Sequence, residues 1–288
     1  MQTQALTAGP SALYLRPLTI AEALRALATQ PLTLLAGGTD FYATRANQPI
    51  TESLLDVSAI SELQQLGDKG DHWRIGAGVT WSQVVRTALP AQFHGLQAAA
   101  REIGGVQVQN KGTLVGNICN ASPAADGIPA LLALEAQVEL SSLTGTRTMA
   151  LEEFVIGARR TVRRPDEMVT ALMVPKRERA RSSFLKLGHR RYLVISIAMV
   201  AVVLDLNDTG LIARAAIAVG SCTAIALRLR ALESKLCGQA AVAGLSARVE
   251  AADLEGLTPL DDVRGSAAYR RDAALTLVKR AIERALHE

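Results

Sequence analysis

The chain has 288 residues, of which 49% are hydrophobic, and a formal net charge of +4. This size and apolar content are enough for a buried core and predict two domains. The small charge, without a dense lysine–arginine block interleaved with aromatic residues, argues against nucleic acid as a partner. Cys119, Cys222 and Cys237 lie far apart and show no CxxC or Cys/His spacing, so neither a zinc site nor a self-contained iron–sulfur cluster is predicted.

Location follows from the same composition. The sparse, odd number of cysteines fits a reducing cytosol, and residues 1–10 lack the charged and apolar regions of a signal peptide. The longest apolar run, residues 192–206, is shorter than the ~20 residues that a membrane-spanning helix needs. Its β-branched residues favour a buried strand. We therefore expect a cytoplasmic protein with no membrane span.

The first part of the chain predicts short helices and strands in alternation. Thr19, with Glu22 three residues later, has the pattern of a capping box at a helix start. A short strand in "LLAGGTDF" then runs into Gly37 and Gly38. Residues 72–85 repeat this arrangement as a strand, a glycine turn and a helix that Thr80 would cap.

The second part predicts a strand-rich unit followed by helices. "DEMVTALMVPK" (166–176) has the alternation of a strand, and the charged segment 176–183 marks the expected domain boundary. Further strands follow on either side of an Asn-Asp-Thr-Gly turn at 207–210. Helices are predicted at 224–237 and 266–288. The class is therefore α+β.

Three polar glycine turns could bind an anion. They are "AGGTD" (36–40), "GAGVT" (76–80) and "GTLVGN" (112–117), each expected beside a β-like segment. Glycine permits close approach of a ligand to the backbone, and successive amides can form an anion-binding nest. Two or three converging turns could hold a diphosphate, although any single one is more simply explained as an ordinary tight turn. Neither GxGxxG nor GxxxxGK[ST] is present, so a Rossmann fold and a P-loop are not predicted.

Four motifs occur in a familiar order: "LLAGGTDF", "QNKGTLVGNICNASPAADGIPALLAL", "DEMVTALMVPK" and "FLKLGHRRYLVISI". Together they resemble the FAD-binding medium subunit of the xanthine dehydrogenase and carbon monoxide dehydrogenase family, the molybdenum hydroxylases. The resemblance covers residues 14–288, and the pattern GT-x-x-GN-x-x-x-ASP-x-x-D is its most specific part.

The resemblance implies a fold and its division. Residues 1–178 would form a two-lobed FAD-binding domain of the vanillyl-alcohol oxidase/p-cresol methylhydroxylase type, with lobes of about 1–57 and 58–178. Residues 179–288 would form a domain like the CO dehydrogenase flavoprotein C-terminal domain, with an antiparallel three-stranded sheet and helices.

The resemblance also implies cofactor-binding residues. The first flavin loop would be Leu34, Leu35, Ala36, Gly37, Gly38, Thr39, Asp40 and Phe41, and the second Gly112, Thr113, Leu114, Val115, Gly116 and Asn117. Further contacts would come from Ile103, Asp126, Val169 and Lys186, and Ser122 is a hydroxyl donor in the same stretch. Alternatives remain for three of them. Asp126 could merely cap the helix starting at Gly127, Lys186 could be a surface lysine, and Asp40 could brace its turn away from the phosphates.

The FAD is expected to be non-covalent, because the matched loops carry no histidine tether and Cys119 has the character of a small buried hydrophobe. No catalytic residue and no metal ligand is predicted. Molybdopterin and [2Fe–2S] clusters are expected only on partner chains, since relatives with an extra cluster carry a cysteine-bearing insertion that this chain lacks.

The function implied is that of an FAD-carrying electron-transfer subunit of a molybdenum hydroxylase. Its partners would be a small [2Fe–2S] subunit and a large molybdenum-cofactor subunit, in a heterotrimer or a dimer of heterotrimers, with NAD or another electron acceptor. Two alternatives remain open: a self-sufficient FAD-dependent oxidoreductase of the same superfamily, and a nucleotide-binding or assembly module without a redox role.

Overall fold

A computed structural model describes residues 12–45 and 48–287. It begins with a small parallel sheet, ordered β1–β3–β2. The elements are β1 (Tyr14–Leu15), α1 (Ile20–Thr29), β2 (Thr33–Leu35), α2 (Thr39–Arg45) and β3 (Leu54–Asp56). The predicted cap is confirmed, because the Thr19 hydroxyl accepts a hydrogen bond from the Glu22 amide at 3.2 Å. The Glu22 carboxylate in turn accepts from the Leu18 amide.

An antiparallel five-stranded sheet follows, in the order β4–β5–β10–β6–β7. Its segment contains β4 (Leu66–Asp68), β5 (His72–Gly76), α3 (Trp81–Arg86), α4 (His94–Glu102), α5 (Val106–Lys111), α6 (Leu114–Asn120), α7 (Gly127–Ala133), β6 (Gln137–Ser142), β7 (Gly145–Ala150), α8 (Leu151–Phe154), β8 (Val155–Gly157), β9 (Arg160–Thr161) and β10 (Met168–Pro175), with 3₁₀ helices at Ser61–Gln64 and Ala91–Phe93. Thr80 caps α3 in a reciprocal capping box with Gln83, as its position predicted.

The C-terminal part is an antiparallel sheet backed by helices. Its elements are β11 (Ala180–Leu187), β12 (Ala198–Leu206), β13 (Ile212–Gly220), β14 (Leu227–Arg228), α9 (Arg230–Leu236) and α10 (Ala267–His287), with 3₁₀ helices at Leu245–Arg248 and Ala251–Leu254. The three predicted strands are joined by a fourth, β14, which has only two residues. The helix predicted at 224–237 is correspondingly shorter, because β14 occupies part of it.

Both faces of this C-terminal sheet are buried. Along β12, Ala201 and Val203 pack into the core shared with α4 and α7. Val200 and Val202 belong to the opposite core, which α10 covers and to which α9 also contributes. Residues 198–206 of the long apolar run are therefore a doubly covered strand, as its β-branched residues predicted. Residues 192–197 of the run lie outside the strand, and Tyr192, Leu193 and Ile195 are exposed. Within residues 12–45 and 48–287, no helix is both long and apolar enough to cross a lipid bilayer.

Candidate functional site

A cavity of about 830 Å³ lies between the parallel sheet, the five-stranded sheet and the C-terminal part. Parts of β2, α2, α5, α6 and β10 line it, together with the loops at 103–105 and 193–195. Ligand pockets usually measure about 300–1,000 Å³, so this one suits a large ligand.

The first glycine loop forms one wall of the cavity. Gly38 has φ +68°, in the left-handed region that favours glycine, and α2 begins directly after it. A Cβ on Gly37 would lie 1.8 Å from the Lys111 carbonyl oxygen and 2.9 Å from Gly112 Cα. The loop therefore touches the second glycine segment through main-chain atoms, and glycine at position 37 is what allows this contact.

The second glycine segment differs from the prediction of a turn beside a β segment. Residues 112–117 instead join helix α5 to helix α6, and Gly116 lies inside α6. Thr113 caps α6, because its hydroxyl accepts from the Gly116 amide at 2.9 Å. Gly112 and Leu114 also bond the backbone at Val79 and Trp81, which fixes the segment against the start of α3.

Asn117 has an unsatisfied polar atom beside the cavity. It lines the cavity, and its Oδ1 atom is buried without a hydrogen-bond partner among the described residues. An unsatisfied buried acceptor costs about 1–3 kcal/mol. A ligand with hydroxyl or N–H donors removes that cost, and FAD carries such donors on its ribityl chain and ring. The residues present therefore fit this cofactor.

Asp126 and Lys186 form a buried ion pair at the edge of the cavity. Lys186 Nζ lies 2.6 Å from Asp126 Oδ2 and 3.3 Å from the Glu102 carbonyl oxygen, and the Ser196 hydroxyl donates to the other carboxylate oxygen. The two side chains are only 5% and 9% exposed. Burial raises the pKa of the Asp126 carboxyl above its ordinary value, and the Lys186 charge and the hydrogen bonds partly oppose this.

This ion pair rules out the alternative interpretations of Asp126 as a helix cap and of Lys186 as a surface lysine. Asp126 precedes α7 but makes no side-chain capping bond, so the interpretation as a helix cap is wrong. Lys186 lies on the edge strand β11 but is buried, so the interpretation as a surface lysine is also wrong. Only Asp126 faces the cavity; Lys186 lies behind it.

Most of the predicted site residues are brought together. The lining includes Leu34, Leu35, Ala36, Gly37, Gly38, Thr39, Asp40, Phe41, Ile103, Gly112, Thr113, Val115, Gly116, Asn117, Asp126 and Val169. Three predicted residues lie outside it. Leu114 is fully buried in the hydrophobic core, Ser122 accepts a bond from the Ala124 amide, and Lys186 reaches the cavity only through Asp126. Asp40 lines the cavity from the first turn of α2 and is exposed. That these residues contact a cofactor stays a prediction.

Sequence reasoning missed several lining residues. These are chiefly Arg45, Arg159, Arg163, Trp81, Gly104, Gly105 and residues 193–195. Arg45 pairs with Glu52 and lies 3.6 Å from the centroid of the Phe41 ring. No local pattern marks Arg159 and Arg163, because the charge pattern of residues 157–167 is typical of an ordinary solvated connector.

Non-covalent FAD is the expected result for this cavity. Cys119 is the cysteine in the lining, and burial raises the pKa of its thiol to about 12. It is therefore protonated at neutral pH and a poor nucleophile for a flavin tether. Acid precipitation of the holo-protein should release yellow flavin into the supernatant, as measured by absorbance. Flavin that stays with the pellet would contradict the prediction.

Comparison with known proteins agrees with the geometry. A family model described as the FAD binding domain in molybdopterin dehydrogenase matches residues 6–177, and one described as the CO dehydrogenase flavoprotein C-terminal domain matches residues 183–285. The nicotine 6-hydroxylase medium subunit of Paenarthrobacter nicotinovorans is 30% identical over 280 residues, which cover 95% of this chain and 96% of that protein.

Two further relatives extend the match to another enzyme and to a solved structure. The xanthine dehydrogenase FAD-binding subunit of Escherichia coli O157:H7 is 29% identical over 283 residues, which cover 95% of each chain. In reconstituted CO dehydrogenase from Oligotropha carboxidovorans, a chain with 27% identity superposes with a TM-score of 0.88, covering 98% of this chain and 99% of that one. The chain therefore belongs to the FAD-binding medium subunits of the molybdenum hydroxylases, the family of xanthine dehydrogenase and carbon monoxide dehydrogenase.

Proposed function

We propose that this chain passes electrons between a partner subunit and an acceptor and does not activate an organic substrate itself. The observation that carries the proposal is the state of the ionisable groups in the cavity. Asp126, the buried carboxylate in the described lining, already binds Lys186 and Ser196. Cys119 is a neutral thiol, and the remaining ionisable groups of the lining are Asp40 on exposed helix α2 and three arginines.

A self-sufficient oxidoreductase would need a different lining. Abstracting a proton from an organic substrate requires a general base within hydrogen-bond reach, with a pKa near the working pH. Both oxygens of Asp126 are occupied by protein donors, and arginine does not act as a base at neutral pH. These features favour the electron-transfer role over the self-sufficient alternative.

The protein's part is then to hold and orient its cofactor. FAD, when bound, exchanges electrons one at a time or in pairs, which suits it to connect one-electron and two-electron partners. The contact between Gly37 and Gly112 brings the two glycine segments together, and Asn117 offers an acceptor. Ile103 and residues 193–195 supply apolar surface against an aromatic ring system.

We extend the proposal to the assembly. Electrons would arrive from [2Fe–2S] clusters on a small subunit, supplied by a large subunit that carries molybdopterin, and would leave to NAD or another acceptor. Support comes from relatives named as the medium subunit of nicotine 6-hydroxylase and the medium chains of glyceraldehyde dehydrogenase and carbon monoxide dehydrogenase. A heterotrimer, or a dimer of heterotrimers, in the cytoplasm is the corresponding arrangement.

The test is to express the chain alone and together with its genomic neighbours. Alone, it should bind FAD but reduce no dye with aldehydes, purines or other N-heterocycles as electron donors. The reconstituted complex should reduce dye with at least one of these donors. Substantial turnover of an organic substrate by the isolated, FAD-loaded chain would overturn the proposal in favour of the self-sufficient oxidoreductase.

A further inference from the structure

The 188–197 segment connects strands β11 and β12 without regular secondary structure and forms part of the cavity wall. Leu193, Val194 and Ile195 line the cavity. Leu193 has φ +52°, a conformation that is uncommon for a residue with a side chain. The Arg190 guanidinium group donates two hydrogen bonds to the Leu193 carbonyl oxygen, at 3.2 Å and 2.6 Å. These bonds shape the segment but do not attach it to the rest of the chain.

The C-terminal end of the segment is attached from two sides. The Ser196 hydroxyl donates to the cavity residue Asp126. The carbonyl oxygen of the next residue, Ile197, accepts a hydrogen bond from Arg270 Nη1 at 2.5 Å. Ser196 and Ile197 are both buried, so water does not compete for these bonds. Asp126 belongs to the site already described, whereas Arg270 lies on helix α10, outside the cavity lining.

Arg270 joins three separate parts of the chain. Its Nη1 also donates to the Ser221 carbonyl oxygen at 3.1 Å, and its Nη2 donates to Asp262 Oδ1 at 2.6 Å. Ile197 directly precedes β12 and Ser221 directly follows β13, so the guanidinium group connects the same end of two paired strands. The Ser221 amide donates to the Pro123 carbonyl oxygen at 3.1 Å, which links this point to the stretch before helix α7.

The environment of Arg270 favours a positioning role over a role in stability. Its side chain is 4% exposed, and its Nε atom is buried without a hydrogen-bond partner among residues 12–45 and 48–287. A buried cation with an unsatisfied donor is often less stabilising than a well-packed apolar side chain of similar volume. An apolar side chain, however, cannot donate from one rigid plane to two carbonyl oxygens and a carboxylate. The arginine therefore fixes where these three groups lie relative to one another.

We propose that Arg270 is a positioning residue that fixes the base of the 188–197 segment, so that residues 193–195 keep water away from one side of the cavity. Arg270 does not line the cavity and acts through the Ile197 carbonyl oxygen. The inference rests on the apolar role toward FAD proposed above for residues 193–195, and not on the electron route.

The test compares variants of the full-length chain. Arg270→Met removes the guanidinium group and keeps a long side chain, and Arg270→Lys keeps the positive charge without the planar group. Arg271→Met is the matched control, because Arg271 is the next residue of α10 but is exposed and lies outside the lining. Three quantities are measured: amide hydrogen exchange, FAD affinity of the deflavinated chain, and the visible spectrum of the flavin at saturating FAD.

Hydrogen exchange follows the base of the segment without any cofactor. The Ile197 amide bonds the Leu187 carbonyl oxygen at 2.8 Å, so its exchange reports local opening at this point. We expect Arg270→Met to speed exchange of peptides that contain this amide about tenfold in the deflavinated chain, as for loss of a charge-assisted hydrogen bond. Arg271→Met should exchange as the wild type does.

The flavin measurements follow the wall of the cavity. Arg270→Met should weaken FAD binding about tenfold, and the spectrum of the bound flavin should lose fine structure as water reaches the ring. Arg270→Lys should recover part of all three effects, because an ammonium group can still donate to one of the carbonyl oxygens. Arg271→Met should match the wild type.

A milder variant serves if Arg270→Met does not fold. Asp262→Asn keeps an oxygen for Arg270 Nη2 but removes the charge, and the Asp262 side chain is 36% exposed, so the fold should tolerate the change. It should shift exchange and FAD affinity in the same direction, by about threefold.

Several results would overturn the proposal. They are unchanged exchange at Ile197 in the variants of Arg270 and Asp262, faster exchange spread over the whole chain, an equal effect of Arg271→Met, and no recovery in Arg270→Lys. Faster exchange with unchanged FAD affinity and spectrum would overturn the role toward the cofactor. Failure of the electron route would appear only as absence of dye reduction by the complex and would leave these measurements as expected.

Discussion

Replacing Gly37 with alanine should remove most of the FAD bound to the chain. The new Cβ would lie 1.8 Å from the Lys111 carbonyl oxygen and 2.9 Å from Gly112 Cα. Both are main-chain atoms, so the two glycine segments must move apart, and the cavity wall that they share is disrupted. Overpacking of this kind costs about 1–3 kcal/mol, which corresponds to a roughly ten- to hundredfold loss of FAD affinity. Titration of the deflavinated chain with FAD measures this loss of affinity.

Gly67→Ala is the control for this variant. Gly67 lies on strand β4, and a Cβ there would meet nothing within 4 Å. Its FAD content and melting temperature should match those of the wild type. Wild-type FAD affinity in Gly37→Ala would show that the segments yield without affecting the site. A thermal melt of the apo-protein separates loss of the site from loss of the fold.

Lys186→Met should be the most destabilising single change in the site. It leaves the Asp126 carboxylate, only 9% exposed, without its cationic partner. Breaking a buried ion pair in this way costs about 3–5 kcal/mol. Denaturant unfolding of the apo-protein measures the free energy of unfolding directly. Lys176→Met is the matched control, because its pair with Asp68 is about one-third exposed and should contribute at most about 1 kcal/mol.

A second variant tests the cause of that loss. Lys186→Met combined with Asp126→Asn removes the stranded charge while keeping an oxygen for the Ser196 hydroxyl. The double variant should recover much of the lost stability, since replacing both partners of a buried pair is far less costly than removing one. A double variant as unstable as Lys186→Met would show that packing of the lysine stem, and not charge, is responsible.

The stability of the Lys186→Met variant should depend on pH more strongly than that of the wild type. Burial raises the pKa of Asp126 in the folded protein above its ordinary value, so the folded state binds this proton more tightly than the unfolded state. The stability contribution of the group is therefore greatest at acid pH and declines as pH rises through the folded pKa. Without Lys186, the pKa rises further. The loss in free energy of unfolding caused by Lys186→Met should then be larger at neutral than at mildly acid pH. A loss that does not change with pH would contradict this explanation.

Features with short-range causes were predictable from sequence. Thr19 and Thr80 cap their helices because the amides that they satisfy lie three residues away, within the same local pattern. The second glycine segment was misjudged for a related reason. The glycines suggested a turn, but Gly116 lies in the first turn of helix α6. The hydroxyl of Thr113, which precedes the helix, accepts a hydrogen bond from the Gly116 amide and caps the helix. Tertiary contacts of Gly112 and Leu114 with the start of α3 fix that arrangement.

The sequence by itself determined the α+β class through strand and helix periodicity. Its motifs carried the resemblance that gave the family and 16 of the residues that line the cavity. The tertiary structure alone decided which of those residues meet. Gly37 touches Lys111, Lys186 is buried behind Asp126, and the guanidinium group of Arg159 reaches Asn120. The partners in each of these contacts are distant in the chain. Their pairing follows from how the sheets and helices pack. The order of charged residues and glycines along the chain does not show which lysine this packing buries and which it leaves exposed.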